Sequence, residues 1–213
     1  MTESPRVVVR GEAVAEVLPD AADLVVTIEV RDRRRDRALA ALAARQQELT
    51  ALLEGHRDGL GSVATDAVSV FPEAADGTRG GGSVATVTTR VQVGDVAAAG
   101  RLAVAVAGLA DTSLHGPHWR VTRTHPVHDQ VRAAAVADAL ARARGHAAAL
   151  GGRLTGLVEV RDTGTGGVGG RVARASSAVA APALELQPGP AEVHGSVEMT
   201  FTMSPPDQEV YAG

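Results

Sequence analysis

The chain has 213 residues, of which 45% are apolar and 22% charged, with a formal net charge of −4. This describes a globular protein long enough to bury roughly 70% of its extended surface without a disulfide or metal staple. It contains no Cys, no Lys and no Asn, a single Ile, and 21 basic residues that are all Arg. Thiolate catalysis, zinc-thiolate and iron–sulfur sites, Schiff-base chemistry and the phosphate-binding lysines of P-loop enzymes and kinases are therefore excluded. Aromatic residues make up only 2% of the chain, so base-stacking platforms are lacking, and the acidic balance argues against a nucleic-acid footprint. The missing Asn and scarce Ile suggest GC-rich codon usage, which discounts arginine abundance as a functional signal.

The N-terminal residues MTESPRVVVRGEAVAEV lack a basic segment followed by an apolar core, and no run of 18 or more apolar residues occurs. A cytoplasmic protein without a membrane span is the expectation, replaced by a periplasmic or secreted one if a leader was removed. Residues 6–18 and 24–31 read as strands joined by a turn at Leu18-Pro19-Asp20. In the second, Leu24, Val26, Ile28 and Val30 alternate with more polar neighbours. Helical spacing follows over 33–54, with Asp32 as N-cap, Gly55 as stop, and Leu39, Leu42, Leu49, Leu52 and Leu53 on one stripe. Strands at about 63–72 and 83–93 flank the turn-rich 76–82 segment, and Asp95 caps a second helix over 96–109 with Leu102, Val106 and Leu109 on one face.

A strand is predicted around Trp119–Thr124. A third helix, 129–150, then carries Val136, Leu140, Ala143, Ala147 and Leu150 on its apolar stripe. Its many alanines permit close approach to whatever it packs on. After a strand at 154–161, residues 163–192 are rich in Gly, Ala, Ser and Pro and read as a long mobile loop. In the final strand Val193, Gly195, Val197, Met199, Phe201 and Met203 face one way, toward a core, and polar residues face the other. A flexible tail is expected over 205–213. The order β-β-α-β-β-α-β-α-β-β predicts an α+β fold with a mostly antiparallel sheet and helices on one face. The stretch from the second strand to the fifth spells βαββαβ, a ferredoxin-like core. The remaining α-β-β portion would extend that sheet or form a second layer. One domain is expected, with possible lobes at 6–124 and 125–204.

Three segments carry a resemblance. VVVRGEAVAEVLPDAADLVVTIEV is similar to the opening of SIMPL-domain (YggE-like) proteins, VRAAAVADALARARGHAAALGGRLTGLVEV to that family's Ala-rich helix, Leu-Gly turn and strand, and LQPGPAEVHGSVEMTFTM to its closing strand. Together they span about residues 6–203 in the family's order. The resemblance implies an α+β fold and, for bacterial members, homo-oligomeric rings or channel-like particles. It implies no catalytic residues. Departures are the lack of a signal-peptide pattern in residues 1–17 and the valines Val84, Val87 and Val91 where the resemblance leads one to expect aromatic residues.

Each candidate site has a structural alternative. Gly164, Gly166 and Gly169 form a literal GxGxxG with Glu185 near the ribose-binding distance, but the following stretch is a poor helix interrupted by Pro182. A loop is the default reading, and a nucleotide- or dinucleotide-binding enzyme the alternative. His115, His118, His125 and His128 fall at metal-ligand spacings, but Pro117 and Pro126 preclude one helix there, which favours surface histidines over a metal site. The run 31–37 has a local charge of +3, and Arg33, Arg34 and Arg35 are candidates for contact with an acidic partner, against a merely solvated helix start. No G-x-S-x-G elbow is present. The leading expectation is a non-enzymatic, self-assembling protein with no cofactor, whose partner is itself.

Overall fold

A computed structural model describes residues 4–73, 81–164, 186–207 and 209. The elements run β1 (Arg6–Val17), β2 (Ala21–Asp32), α1 (Arg35–Gly55), β3 (Leu60–Glu73), β4 (Gly82–Val93), α2 (Val96–Ala107), β5 (Thr112–Arg120), α3 (Val127–Ala149), β6 (Leu154–Asp162) and β7 (Ala191–Met203). The predicted α+β order is the observed one. The strands divide into two antiparallel sheets, β3-β4-β2-β5 and β1-β7-β6.

The chain forms two compact units, and among the described residues its path changes unit between Leu18 and Pro19, between Thr122 and Arg123, and between Gly189 and Pro190. The unit built from β2, α1, β3, β4, α2 and β5 has the strand order of the ferredoxin-like arrangement expected from βαββαβ. Its core follows from period-two burial. Leu24, Val26 and Ile28 of β2 lie beside Val91, Thr89 and Val87 of β4, all buried, and Leu42, Leu49 and Leu53 of α1 and Leu102 and Val106 of α2 close over them. Asp95 caps α2 as expected, accepting from the N–H groups of Ala97 and Ala98.

Three local expectations are corrected in this unit. The α1 N-cap is Arg34 and not Asp32, because Asp32 ends β2 and its Oδ1 accepts the Arg34 N–H at 2.8 Å, so the first turn starts later. Leu39 is exposed, and Ala38 takes the buried place on that stripe. The fifth strand covers Thr112–Arg120 in place of Trp119–Thr124. Gly116 and Pro117 lie within this edge strand, where a missing N–H is tolerated. Gly116 adopts φ +117 and sits where a Cβ would stand 2.9 Å from the Asp23 carbonyl oxygen, so only glycine fits.

In the other unit β7 is the central strand, with β1 and β6 on either side. The first strand thus belongs with α3, β6 and β7 rather than with a 6–124 lobe, and β6 and β7 pair into a sheet with it instead of extending the first sheet. The odd-numbered residues of β7 from Ala191 to Met203 are all buried, as the alternation predicts. The α3 stripe is rotated from its predicted position. Val131, Ala135, Ala139, Ala143 and Ala147 are buried, whereas Val136 is exposed and Leu140 and Leu150 lie at the margin. Small side chains win the buried face because α3 crosses two glycines at backbone distance. A Cβ on Gly11 of β1 would overlap the Ala135 carbonyl oxygen and stand 2.6 Å from the Ala139 nitrogen, and one on Gly195 of β7 would stand 2.8 Å from the Val131 carbonyl oxygen.

Candidate functional site

Helices cover one face of each sheet, and the opposite faces carry the polar halves of the strand alternation. In the β1-β7-β6 sheet that outer face has a crosswise row of charge: Arg10 of β1 lies opposite Glu198 of β7, which lies opposite Arg161 of β6. Arg161 pairs with Glu159 at 2.8 Å and Glu198 at 3.4 Å, and Arg10 pairs with Glu12 at 3.0 Å. The hydrogen bond that Arg161 donates to Glu159, reinforced by the negative charges of Glu159 and Glu198, holds the Arg161 guanidinium above its ordinary pKa. Beside this row lies a shallow concavity of about 330 Å³, lined in part by Arg10, Glu12, Thr163, Gly164, His194 and Ser196. The Thr163 and Ser196 hydroxyls bond to each other, so the polar groups are largely engaged among themselves.

The four sheet edges differ. On β1, the outward Glu12 N–H donates to Asp138 Oδ2 of α3 at 3.0 Å, and Arg142 pairs with the same oxygen at 2.8 Å. These contacts, the Glu12 N–H first, hold the Asp138 carboxyl below the usual carboxylate range. On β5 the edge is interrupted by Gly116 and Pro117. By contrast, β3 and β6 are exposed on both faces along nearly their whole length. On β3, Val68 is 63% and Phe71 62% exposed; on β6, Leu157 is 56% and Val160 50% exposed. Among the described residues no strand pairs with the outer edge of either.

The residues singled out by sequence are placed as follows. Gly164 follows β6 with φ +93, and its N–H donates to Asp162 Oδ1 at 2.8 Å instead of facing an open cradle. The strand before it belongs to an antiparallel sheet, whereas the dinucleotide fingerprint sits in a parallel βαβ unit. Gly166, Gly169 and Glu185 lie outside the described residues, as do most of the 163–192 loop and most of the 205–213 tail. His115 and His118 are exposed on β5, opposite Val25 and Asp23. His125 precedes α3, where its Nδ1 accepts the Val127 N–H, and His128 sits in the first turn of α3. The pairs thus fall in different compact units, and no group of three or more His, Asp or Glu suited to a metal ion occurs among the described residues.

Arg31 is paired with Glu29 and Glu73, and Arg34 with Asp36. Arg33 and Arg35 are exposed beside them. Met199, Phe201 and Met203 are core, as expected. Sequence reasoning missed the bare flank of β6. Its signal was the tripeptide Leu157-Val158-Glu159, whose two adjacent apolar residues break strict alternation.

A family model described as SIMPL, a protein of unknown function (DUF541), matches residues 7–201. The chain belongs to the SIMPL family. The match takes in all ten elements and both sheets of this SIMPL protein, apart from the first residue of β1 and the last two of β7. No curated protein matches the chain. No helix among its described residues is long and apolar enough to cross a membrane.

Proposed function

We propose that this SIMPL protein is a non-enzymatic subunit that assembles with copies of itself into a closed homo-oligomer, a ring or channel-like particle. The observation that carries this reading is the pair of long edge strands, β3 and β6, left exposed on both faces with apolar side chains uncovered. An open strand edge is a template for another strand, and contact with further copies is a common way of covering it. The outer-face polar groups support the same reading, since Arg10, Glu12, Glu159, Arg161 and Glu198 form paired charges of the kind that set register between surfaces.

Light scattering across a range of protein concentrations tests the proposal. A particle several times the 21.7 kDa chain mass is the expected result, and a monomer at every concentration would overturn it. Images of the purified particle then decide the geometry, with a ring around a central opening expected and an open filament contrary to it.

A further inference from the structure

From the charge pattern of β6 we infer that the free edge of this strand is a two-fold contact that pairs antiparallel with β6 of a second copy, centred on Val160. This inference rests on the self-assembly reading and names the surface that reading leaves unspecified.

Three of the four sheet edges carry a feature that hinders pairing. Asp138 occupies the Glu12 N–H on β1, Gly116 and Pro117 interrupt β5, and β3 breaks register twice and carries Pro72. On β6 the register also shifts near Leu154 and Leu157, but from Glu159 to Asp162 it runs unbroken beside β7. The last part of β6 is therefore a regular template with nothing described against its outer side.

The side chains decide both the partner and the register. Leu157 and Val160 lie opposite Phe201 and Met199, so they belong to the helix-covered side of the sheet. Phe201 and Met199 are buried there, yet Leu157 and Val160 lie beyond the reach of α3. An antiparallel contact centred on one residue keeps equivalent faces together. It would produce a six-stranded sheet with both copies of α3 on one side and these apolar residues between them. Centring the axis on Glu159 or on Arg161 places like charges directly opposite each other. Centring it on Val160 places Glu159 of each copy opposite Arg161 of the other, giving two favourable cross-strand pairs. An axis lying between residues would set Glu159 opposite Val160, whose side chains point to opposite faces of the sheet, so no regular antiparallel ladder could form. Only the Val160 register is self-complementary in both charge and apolar cover, as an isologous contact requires.

The test uses two single variants of the full chain, Glu159→Arg and Arg161→Glu, followed by sedimentation velocity and light scattering. Each alone turns both cross-strand pairs repulsive, and the association step at this contact weakens roughly tenfold or more. Mixed one to one, the variants place arginines of one copy against glutamates of the other, so mixed assemblies form at concentrations where neither variant assembles alone. Thermal melting of each variant near that of the parent shows that the effect is not unfolding. If both variants assemble like the parent, the β6 contact is refuted while self-assembly stands. If both dissociate and mixing restores nothing, the charge register is wrong. A parent that is monomeric throughout overturns the self-assembly reading and this inference with it.

Discussion

Replacing Gly11 by Ala is expected to lower stability by about 3 kcal/mol, although the same change in an unobstructed strand would raise it. Where the native backbone tolerates a Cβ, Gly→Ala stabilises by roughly 0.4–1 kcal/mol through the unfolded chain. Gly11 has no positive φ to forbid alanine, so backbone conformation alone predicts a gain. The added Cβ would, however, overlap the Ala135 carbonyl oxygen and stand 2.6 Å from the Ala139 nitrogen and 2.7 Å from its Cβ. Two of these three obstacles are helix backbone, which cannot rotate away. Relief requires α3 or β1 to retreat by about 1 Å, a gap that forfeits a quarter to a half of each dispersion contact along the seam. That seam includes Val131, Ala135, Ala139, Ala143 and Ala147, so the cost lies at the upper end of the 1–3 kcal/mol typical of overpacking. Calorimetry should record a Tm drop of roughly 6–12 °C for a chain of this size. Adding Ala139→Gly should recover less than half of the loss, because the Ala135 oxygen remains. A Gly11→Ala variant as stable as the parent would refute the backbone-contact argument.

Gly145→Ala, on the same helix but with nothing within 4 Å of the new methyl, is expected to stabilise by about 1 kcal/mol from helix propensity, measured by urea denaturation. Asp95→Ala removes the acceptor for the Ala97 and Ala98 N–H groups and should cost about 1 kcal/mol, or roughly 2–4 °C in Tm. Asp138 has its pKa lowered in the folded state, so its contribution is present above the unfolded-state value near pH 4 and fades as pH falls through the lower folded value. The Asp138→Asn variant should therefore lose less stability than the parent over that acid window, read from denaturation midpoints at successive pH values. Arg33→Gln combined with Arg35→Gln should leave Tm within about 1 °C, since both side chains are exposed at the start of α1.

Strands with one buried face were legible because burial imposes a period of two. The alternation picks out every inward position of β7 from Val193 to Met203 and of β2 from Leu24 to Val30, all of them buried. The Asp95 cap was legible because its acceptor needs only neighbouring N–H groups. The α3 face was misjudged because reading for the largest apolar residues favours Val136 and Leu140. The buried stripe is instead selected by Gly11 and Gly195, more than 45 residues away along the chain in either direction from Ala139. Asp32 resembled a cap by type and position, and only the late end of β2 moves the helix start to Arg35. The candidate assembly surface was the least legible part. Leu157 and Val160 occupy helix-side positions, and their exposure follows from α3 lying over β1 and β7 rather than over β6, which is a property of packing rather than of pattern.

The pairing of β1 with β7 imposes an order on synthesis. Arg6 finds its neighbour, Thr202, only after residue 202 has left the ribosome, whereas β2 through β5 are complete by Arg120. The ferredoxin-like unit is therefore poised to fold while Val7, Val8 and Val9 wait without a partner strand. A ribosome-arrested chain ending just after β5 should show protease-resistant β2 to β5 beside a cleavable leading strand. Any surface that depends on the β1-β7-β6 sheet is thereby deferred until β7 has emerged and paired with β1.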